Sequence, residues 1–370
     1  MTDLDVVWAS LDERVESGWA PGIVGGVFAD GMAQVYATGV LAFDSDDAMT
    51  PETRFRIASL GKPIAGVLGA MLVGDGVLAL DEPVSTWMPE LANPRVLRHP
   101  TAALDDTVDA VRPITVRHLL TATNGLGFSF DDTTVGPALQ EFATGPFPPP
   151  FTPDEYLARI AAIPLAWQPG ERWSYHTSAD LLSVLLSRAS GLPLHDLLRQ
   201  RILAPLGMRS TGFSASGETL PIEYRGTENG IEVFEEYTTA FDHPPLFESL
   251  GGGLVSTVPD YLAFLCAVRG RVAAARAAAR AHDRPAHRRA ALDRGHDARP
   301  RCLLGLAGVR RRDRPLRLGR RRGHERLRRS VPRARRRGDV AALRLRAPGR
   351  VGVLLGPPDR VAPAAPYWCA

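Results

Sequence analysis

At residue 269 the chain changes character, and the change limits what it can fold into. Residues 1–268 carry 15 basic and 34 acidic side chains, a net charge of −19. Residues 269–370 carry 29 Arg, no Lys and 7 acidic residues, a net charge of +22. The formal total of +3 over 370 residues conceals both. Stretches such as "RVAAARAAARAHDRPAHRRAALDRGHDARPR" and "RRRGHERLRRSVPRARRRGDV" repel themselves and offer little apolar surface to bury. A core must come from the first segment, which is long enough to build one.

Other global features exclude several classes. The cysteines are Cys266, Cys302 and Cys369, too few for a disulfide framework and suited to a reducing, cytoplasmic setting. No Cys/His group has metal-ligand spacing, so neither a metal nor another cofactor is expected. The N-terminal "MTDLDVVWASLDERVESGW" is acidic and helix-patterned, without the basic start and apolar stretch of a signal peptide. No apolar run is long enough to cross a bilayer.

Along the first segment the pattern alternates between strand and helix. Leu4, Val7, Leu11 and Val15 recur at helical spacing behind a Thr2 or Asp3 cap. "GIVGGVFADGMAQVYATGV" sets two apolar runs around Asp30-Gly31, which predicts an antiparallel hairpin. "RFRIASLGK" leads into an apolar helix, "PIAGVLGAMLVGDG", with Pro63 tolerated in its first turn. "DEPVSTWMPELANPRVL" and "ITVRHLLTATNGLGF" read as short helices, and "GPFPPPFTPDEYL" as a stiff exposed connection. In "WQPGERWSYHTSADLLSVLLSRASG", Thr177 or Ser178 is placed to cap a helix. Its buried face is Leu181, Leu182, Leu185 and Ala189, and Gly191 ends it. Tyr175 then lies in the loop ahead of that helix. "GGGLVSTVPDYLAFL" predicts a short strand and a further helix, with Thr257 or Asp260 near its start.

The chain uses 43 Arg and a single Lys, Lys62, three residues after Ser59. Positions i and i+3 of a helix share a face, so the hydroxyl and the amine can meet. A serine hydroxyl becomes a nucleophile when a base takes its proton. An exposed lysine, with a pKa of ~10.4, is protonated and cannot do so, whereas burial near another cation or a helix N-terminus makes the neutral amine accessible. Arginine stays protonated and cannot replace it. Ser59 as nucleophile and Lys62 as base thus form an S-x-x-K arrangement; the alternative is a capping serine with a solvated lysine one turn on. Tyr175 is the candidate proton relay, its alternative being a core aromatic beside Trp173.

Competing motifs fail. A P-loop would need Gly six residues before Lys62 and Ser or Thr after it, where Arg56 and Pro63 stand. Both "GFSAS" and "GFSFD" lack the final glycine of a nucleophile elbow. His118, His176 and His195 lie on or beside helical stretches, where surface or capping roles are expected.

The stretches "TRFRIASLGKPIAGVLGAMLVGDGVLALDEPV", "ITVRHLLTATNGLG", "WQPGERWSYHTSADLLSVLLSRASGLPL", "LAPLGMRSTGF" and "GGGLVSTVPDYLAF" occur in the order found in beta-lactamase-like serine hydrolases. That superfamily includes class C beta-lactamases, D-alanyl-D-alanine carboxypeptidases and esterases, and the resemblance covers residues 1–268. It implies an α+β fold of the beta-lactamase/transpeptidase type, an antiparallel sheet flanked by helices plus an all-helical domain. It implies Ser59, Lys62 and Tyr175 as catalytic residues. The family's Y-x-N motif reads Tyr175-His176-Thr177 here, which puts Thr177 in the substrate-binding place of Asn and favours the esterase-like branch. The implied substrate is a small-molecule ester, amide or beta-lactam, with neither membrane nor nucleic acid favoured as partner.

The resemblance divides the chain into residues 1–60 (helix and strand pair of the α/β domain), 61–240 (mostly helical domain) and 241–268 (return to the α/β domain). It then stops. The family's third motif, K-T-G, H-x-G or W-x-G on a late strand, supplies a second oxyanion N–H, and no such triplet occurs in residues 269–370. A shifted reading frame of G+C-rich DNA accounts for the charge reversal and the lost strands together. A genuine polyanion-binding tail and an inactive family descendant are the alternatives.

Overall fold

The computed structural model describes residues 3–29, 31–128, 132–140, 147–227, 230–282 and 351–355. The proposed cap Thr2, the turn residue Asp30 and most of the arginine-rich segment lie outside these. The first helix, α1 (Asp3–Glu16), is followed by β1 (Gly22–Ala29) and β2 (Met32–Gly39). The expected hairpin is present: β1 and β2 pair antiparallel from Gly22 opposite Gly39 to Ala29 opposite Met32. Ile23 joins Leu11 and Ala20 in a small cluster beneath α1, whereas Val24 enters the main core. Successive residues of the strand thus serve two layers, as the pleat requires.

A two-residue strand, β3 (Phe55–Arg56), and a 3-10 turn (Ala58–Leu60) lead directly into α2 (Gly61–Gly74). Ile64, Ala65, Leu68 and Leu72 of α2 are buried; an apolar helix of this kind belongs inside a domain rather than on its surface. Beyond it stand the strands β4 (Arg95–Leu97) and β5 (Thr107–Asp109), then α3 (Val116–Leu120), α4 (Val135–Gln140) and α5 (Pro153–Ala161). The predicted helices in "DEPVSTWMPELANPRVL" are only single 3-10 turns, Val84–Thr86 and Pro89–Leu91, followed by β4. Pro83 and Pro89 remove the amides a longer helix would need.

Next comes α6 (Thr177–Ser190), the second internal helix, buried at every position from Thr177 to Leu186. Gly191 ends it at φ +70, as expected. Its cap is His176, not Thr177 or Ser178, and no side-chain cap bond is made. The chain continues through α7 (Leu194–Leu198), α8 (Ala204–Leu206), the hairpin β6 (Tyr224–Thr227) and β7 (Gly230–Val233), and α9 (Glu235–Thr239). It closes with β8 (Val255–Ser256), α10 (Val258–His282) and β9 (Val351–Leu355). β8 pairs with β3, Phe55 opposite Ser256. β9, from the arginine-rich segment, pairs antiparallel with the free side of β1, Val24 opposite Leu355. α10 packs against β1, where a Cβ on Gly26 would lie 2.5 Å from Val258.

Candidate active site

Ser59 is carried into place by β3, whose neighbours fix it from three sides. Arg54 donates to the carbonyls of Ser210 (2.9 Å) and Ser214 (3.0 Å), and Arg56 to those of Pro221 (2.7 Å) and Thr238. The Ile57 amide bonds the Leu254 carbonyl at 2.9 Å, and Tyr261 of α10 donates to the Leu60 carbonyl at 2.9 Å. Ala58 is held at φ +42 immediately before the serine, a conformation that stores strain and is maintained by its surroundings. Ser59 therefore sits in the 3-10 turn, and Lys62 in the first turn of α2. The i, i+3 spacing still brings them together.

Lys62 Nζ donates to Ser59 Oγ at 2.9 Å and to the Gly251 carbonyl at 2.5 Å, and stands 3.2 Å from His176 Nδ1. It also lies 4.7 Å from the centre of the Tyr175 ring. Two glycines make this convergence possible. A Cβ on Gly61 would sit 2.5 Å from the Leu250 carbonyl, and one on Gly251 would sit 2.5 Å from Asp180 Oδ1. The start of α2, the start of α6 and the 249–251 loop can then meet backbone to backbone.

Tyr175 is half-buried and fixed through its main chain. Its amide bonds the Phe128 carbonyl at 2.7 Å, and the Phe128 amide bonds the Tyr175 carbonyl at 3.0 Å. The predicted Ser59, Lys62 and Tyr175 thus line one place. Thr177 does not join them at the surface: it is 0% exposed, and its hydroxyl has no hydrogen-bond partner among the described residues.

Two residues in the site were missed by the sequence reading. His176, expected at a surface or as a cap, is 5% exposed and faces Lys62 on one side and Asp180 on the other, with Nε2 3.2 Å from Asp180 Oδ2. Asp180, 0% exposed, also accepts from Ser249 Oγ (2.5 Å) and Tyr156 OH (3.4 Å). Burial alone would raise its carboxyl. The His176 contact, the Ser249 bond and the Lys62 charge prevail and hold it below its ordinary value. The same carboxylate, with burial as the larger cause, pushes the Tyr156 phenol well up. The four-residue spacing of His176 and Asp180 across a helix start was the available signal. By contrast, His118 does cap α3 together with Thr115, and His195 pairs with Glu248 at the surface.

A sequence model of the Beta-lactamase family matches residues 9–316. The chain belongs to the Beta-lactamase family. Its relatives include Protein Rv1367c of Mycobacterium tuberculosis, 36% identical over 267 residues, 71% of this chain and 66% of that protein. Esterase EstB of Burkholderia gladioli is 34% identical over 261 residues, 63% of this chain and 61% of the esterase. The chain thus spans just under two thirds of these relatives. Among solved structures, EstCE1, described as a hydrolase with promiscuous acyltransferase activity, superposes with a TM-score of 0.58 at 25% identity over 70% of each chain. The beta-lactamase/transpeptidase fold expected from the sequence is therefore present. Among the described residues, no helix is long and apolar enough to cross a membrane.

Proposed function

We propose that this Beta-lactamase family member is a cytoplasmic serine hydrolase that cleaves small-molecule esters, and less readily amides, through an acyl-enzyme on Ser59. The observation that carries the reading is the 2.9 Å contact between Lys62 Nζ and Ser59 Oγ, with Tyr175 beside the same amine. As the neutral amine, Lys62 takes the Ser59 proton while Oγ bonds the substrate carbonyl carbon. The tetrahedral oxyanion is stabilised by backbone N–H groups, one of them that of Ser59. The ester C–O bond then breaks, the proton passes to the leaving oxygen through Lys62 or Tyr175, and water releases the acyl group. Ester preference draws on the esterase relative and on Thr177 standing where beta-lactamases carry Asn.

Labelling with an activated phosphonate tests this. Wild-type protein is labelled at Ser59, Ser59→Ala is not labelled, and Lys62→Ala reacts about 10²–10⁴-fold more slowly. Undiminished labelling of Ser59→Ala would refute the reading.

The arginine-rich segment supports a second proposal, that residues 269–370 are encoded in a shifted frame. The charge reverses from −19 to +22 at residue 269, and the alignment with Rv1367c takes in 267 residues of the 370. Resequencing codons 260–275 and translating every frame decides it. A frame that restores W-x-G or H-x-G followed by alternating strands supports the proposal. The restored protein then turns over esters about 10²–10³-fold faster, since a second oxyanion donor is regained. If no frame does so, the segment is genuine, and salt-sensitive DNA binding that disappears with residues 269–370 becomes the reading to test.

A further inference from the structure

Lys62 has a neighbour that the proposed chemistry does not use. We propose that His176 is a positioning residue for Lys62, holding the amine through Nδ1 so that its lone pair faces Ser59; this rests on the Ser59–Lys62 reading above.

The argument begins at Asp180. Its carboxylate, completely buried, lies 3.2 Å from His176 Nε2. A carboxylate can only accept, so the neutral imidazole carries its proton on Nε2 and leaves Nδ1 as an acceptor. Nδ1 is the atom 3.2 Å from Lys62 Nζ. Of the three hydrogen-bonding groups found at the amine among the described residues, the Gly251 carbonyl and the Nδ1 of the neutral imidazole can only accept, and the Ser59 hydroxyl has a proton to give. A protonated lysine donates to all three. A neutral lysine has two N–H bonds, which the two pure acceptors take, and its lone pair is turned toward Ser59. The orientation a base needs is thereby built into the ground state.

Asp180 organises both acceptors. It fixes His176 directly, and it receives Ser249 Oγ, which in turn accepts the Gly251 amide at 2.9 Å. The backbone shows the same purpose. His176 sits at φ +79, ψ −69, the centre of a γ-turn closed by the Thr177 amide on the Tyr175 carbonyl at 3.2 Å. A non-glycine residue there is strained by about 1–3 kcal/mol. The turn aims the imidazole into the interior instead of along the surface of α6.

Two substitutions in the full-length chain test the role, read by steady-state hydrolysis of p-nitrophenyl acetate and by thermal unfolding. His176→Leu removes the acceptor and lowers kcat about 100-fold with little change in KM, the loss a misdirected catalytic group produces. The side-chain oxygen of Asn stands about where Nδ1 stands, so His176→Asn keeps an acceptor for Lys62 while losing Asp180. It recovers at least about tenfold of the lost kcat although its stability is no higher. A His176→Leu rate equal to wild type, or a His176→Asn rate as low as that of His176→Leu, overturns the proposal. Should His176→Leu not fold, His176→Asn decides alone: kcat within about tenfold of wild type supports the role, and a larger loss overturns it. Wild-type protein that hydrolyses nothing overturns the serine-hydrolase reading and this one with it. Normal hydrolysis by His176→Leu overturns this one only.

Discussion

Asp180 is a buried carboxylate and Glu223 a half-buried one, and the fold moves them in opposite directions. Asp180, 0% exposed, faces His176, Ser249 and Tyr156, and is held below its ordinary value despite its burial. Glu223 has Arg56 nearby, but that guanidinium is committed to the Pro221 and Thr238 carbonyls, and burial pushes the Glu223 carboxyl up to about 7. Depth is therefore not what keeps an interior carboxylate charged; donors aimed at it are. The candidate active site contains the first kind, and the surroundings of Arg56 the second.

The largest effect that would sharpen this contrast is expected from Asp180→Ala. The substitution strands His176 Nε2 and the Ser249 and Tyr156 hydroxyls in the interior, and should lower stability at pH 7 by about 3 kcal/mol or more. Urea unfolding measures it. Because the folded-state pKa of Asp180 is lowered, its contribution is present above the ordinary value of 3.8 and is lost as pH falls through the folded value. A loss below about 1 kcal/mol would mean that the donors do not hold a charge there, and the contrast with Glu223 would fail.

Gly251→Ala should come next. The new Cβ would lie 2.5 Å from Asp180 Oδ1 and 3.1 Å from Ser249 Oγ, so either the loop or the carboxylate must shift. Stability should fall by about 1–3 kcal/mol. The Gly251 carbonyl, bonded to Lys62 at 2.5 Å, should move as well, slowing Ser59 labelling about tenfold or more. Unchanged labelling would show that this carbonyl does not help orient the amine.

The two sides of the site differed in how far the sequence disclosed them. Ser59 and Lys62 lie three residues apart in a chain with one lysine, and local spacing carried them. Tyr175 was reachable because the helix beyond it, with its cap and closing Gly191, places it in a loop. His176 and Asp180 were not reachable in the same way. Their meaning depends on Ser249, 69 residues beyond Asp180, and on a backbone φ at His176 that no residue preference predicts. The hairpin β1–β2 announced itself through two apolar runs and the Asp-Gly dipeptide between them. The strands β4 and β5 did not, since three residues pairing with three leave too little pattern to separate from a loop. The Asn-Gly dipeptide at 229–230 is a hairpin signal for β6–β7, but strands of four residues each carry too little alternation to support it.

The smallest and most diagnostic effect belongs to Glu223→Gln. With its carboxyl at an ordinary 4.5 in the unfolded chain and about 7 in the fold, Glu223 binds a proton on folding throughout that interval. Wild-type stability should therefore fall as pH rises from 4.5 to about 7 and level off above it, the whole decline being about 3 kcal/mol at most. This slope is opposite to that of Asp180 and lies at higher pH, so one pH series separates the two carboxylates. Gln carries no charge to desolvate and fits the same space. At pH 4 the variant should match wild type; at pH 8 it should be more stable by about 1–3 kcal/mol. Urea midpoints at the two pH values suffice. If both proteins show the same decline, Glu223 is ionised in the fold, and a single committed arginine is enough to hold a half-buried carboxylate. The three donors around Asp180 would then exceed what its charge requires, and their arrangement would have to be explained by their hold on His176 and Gly251, the two acceptors that touch Lys62.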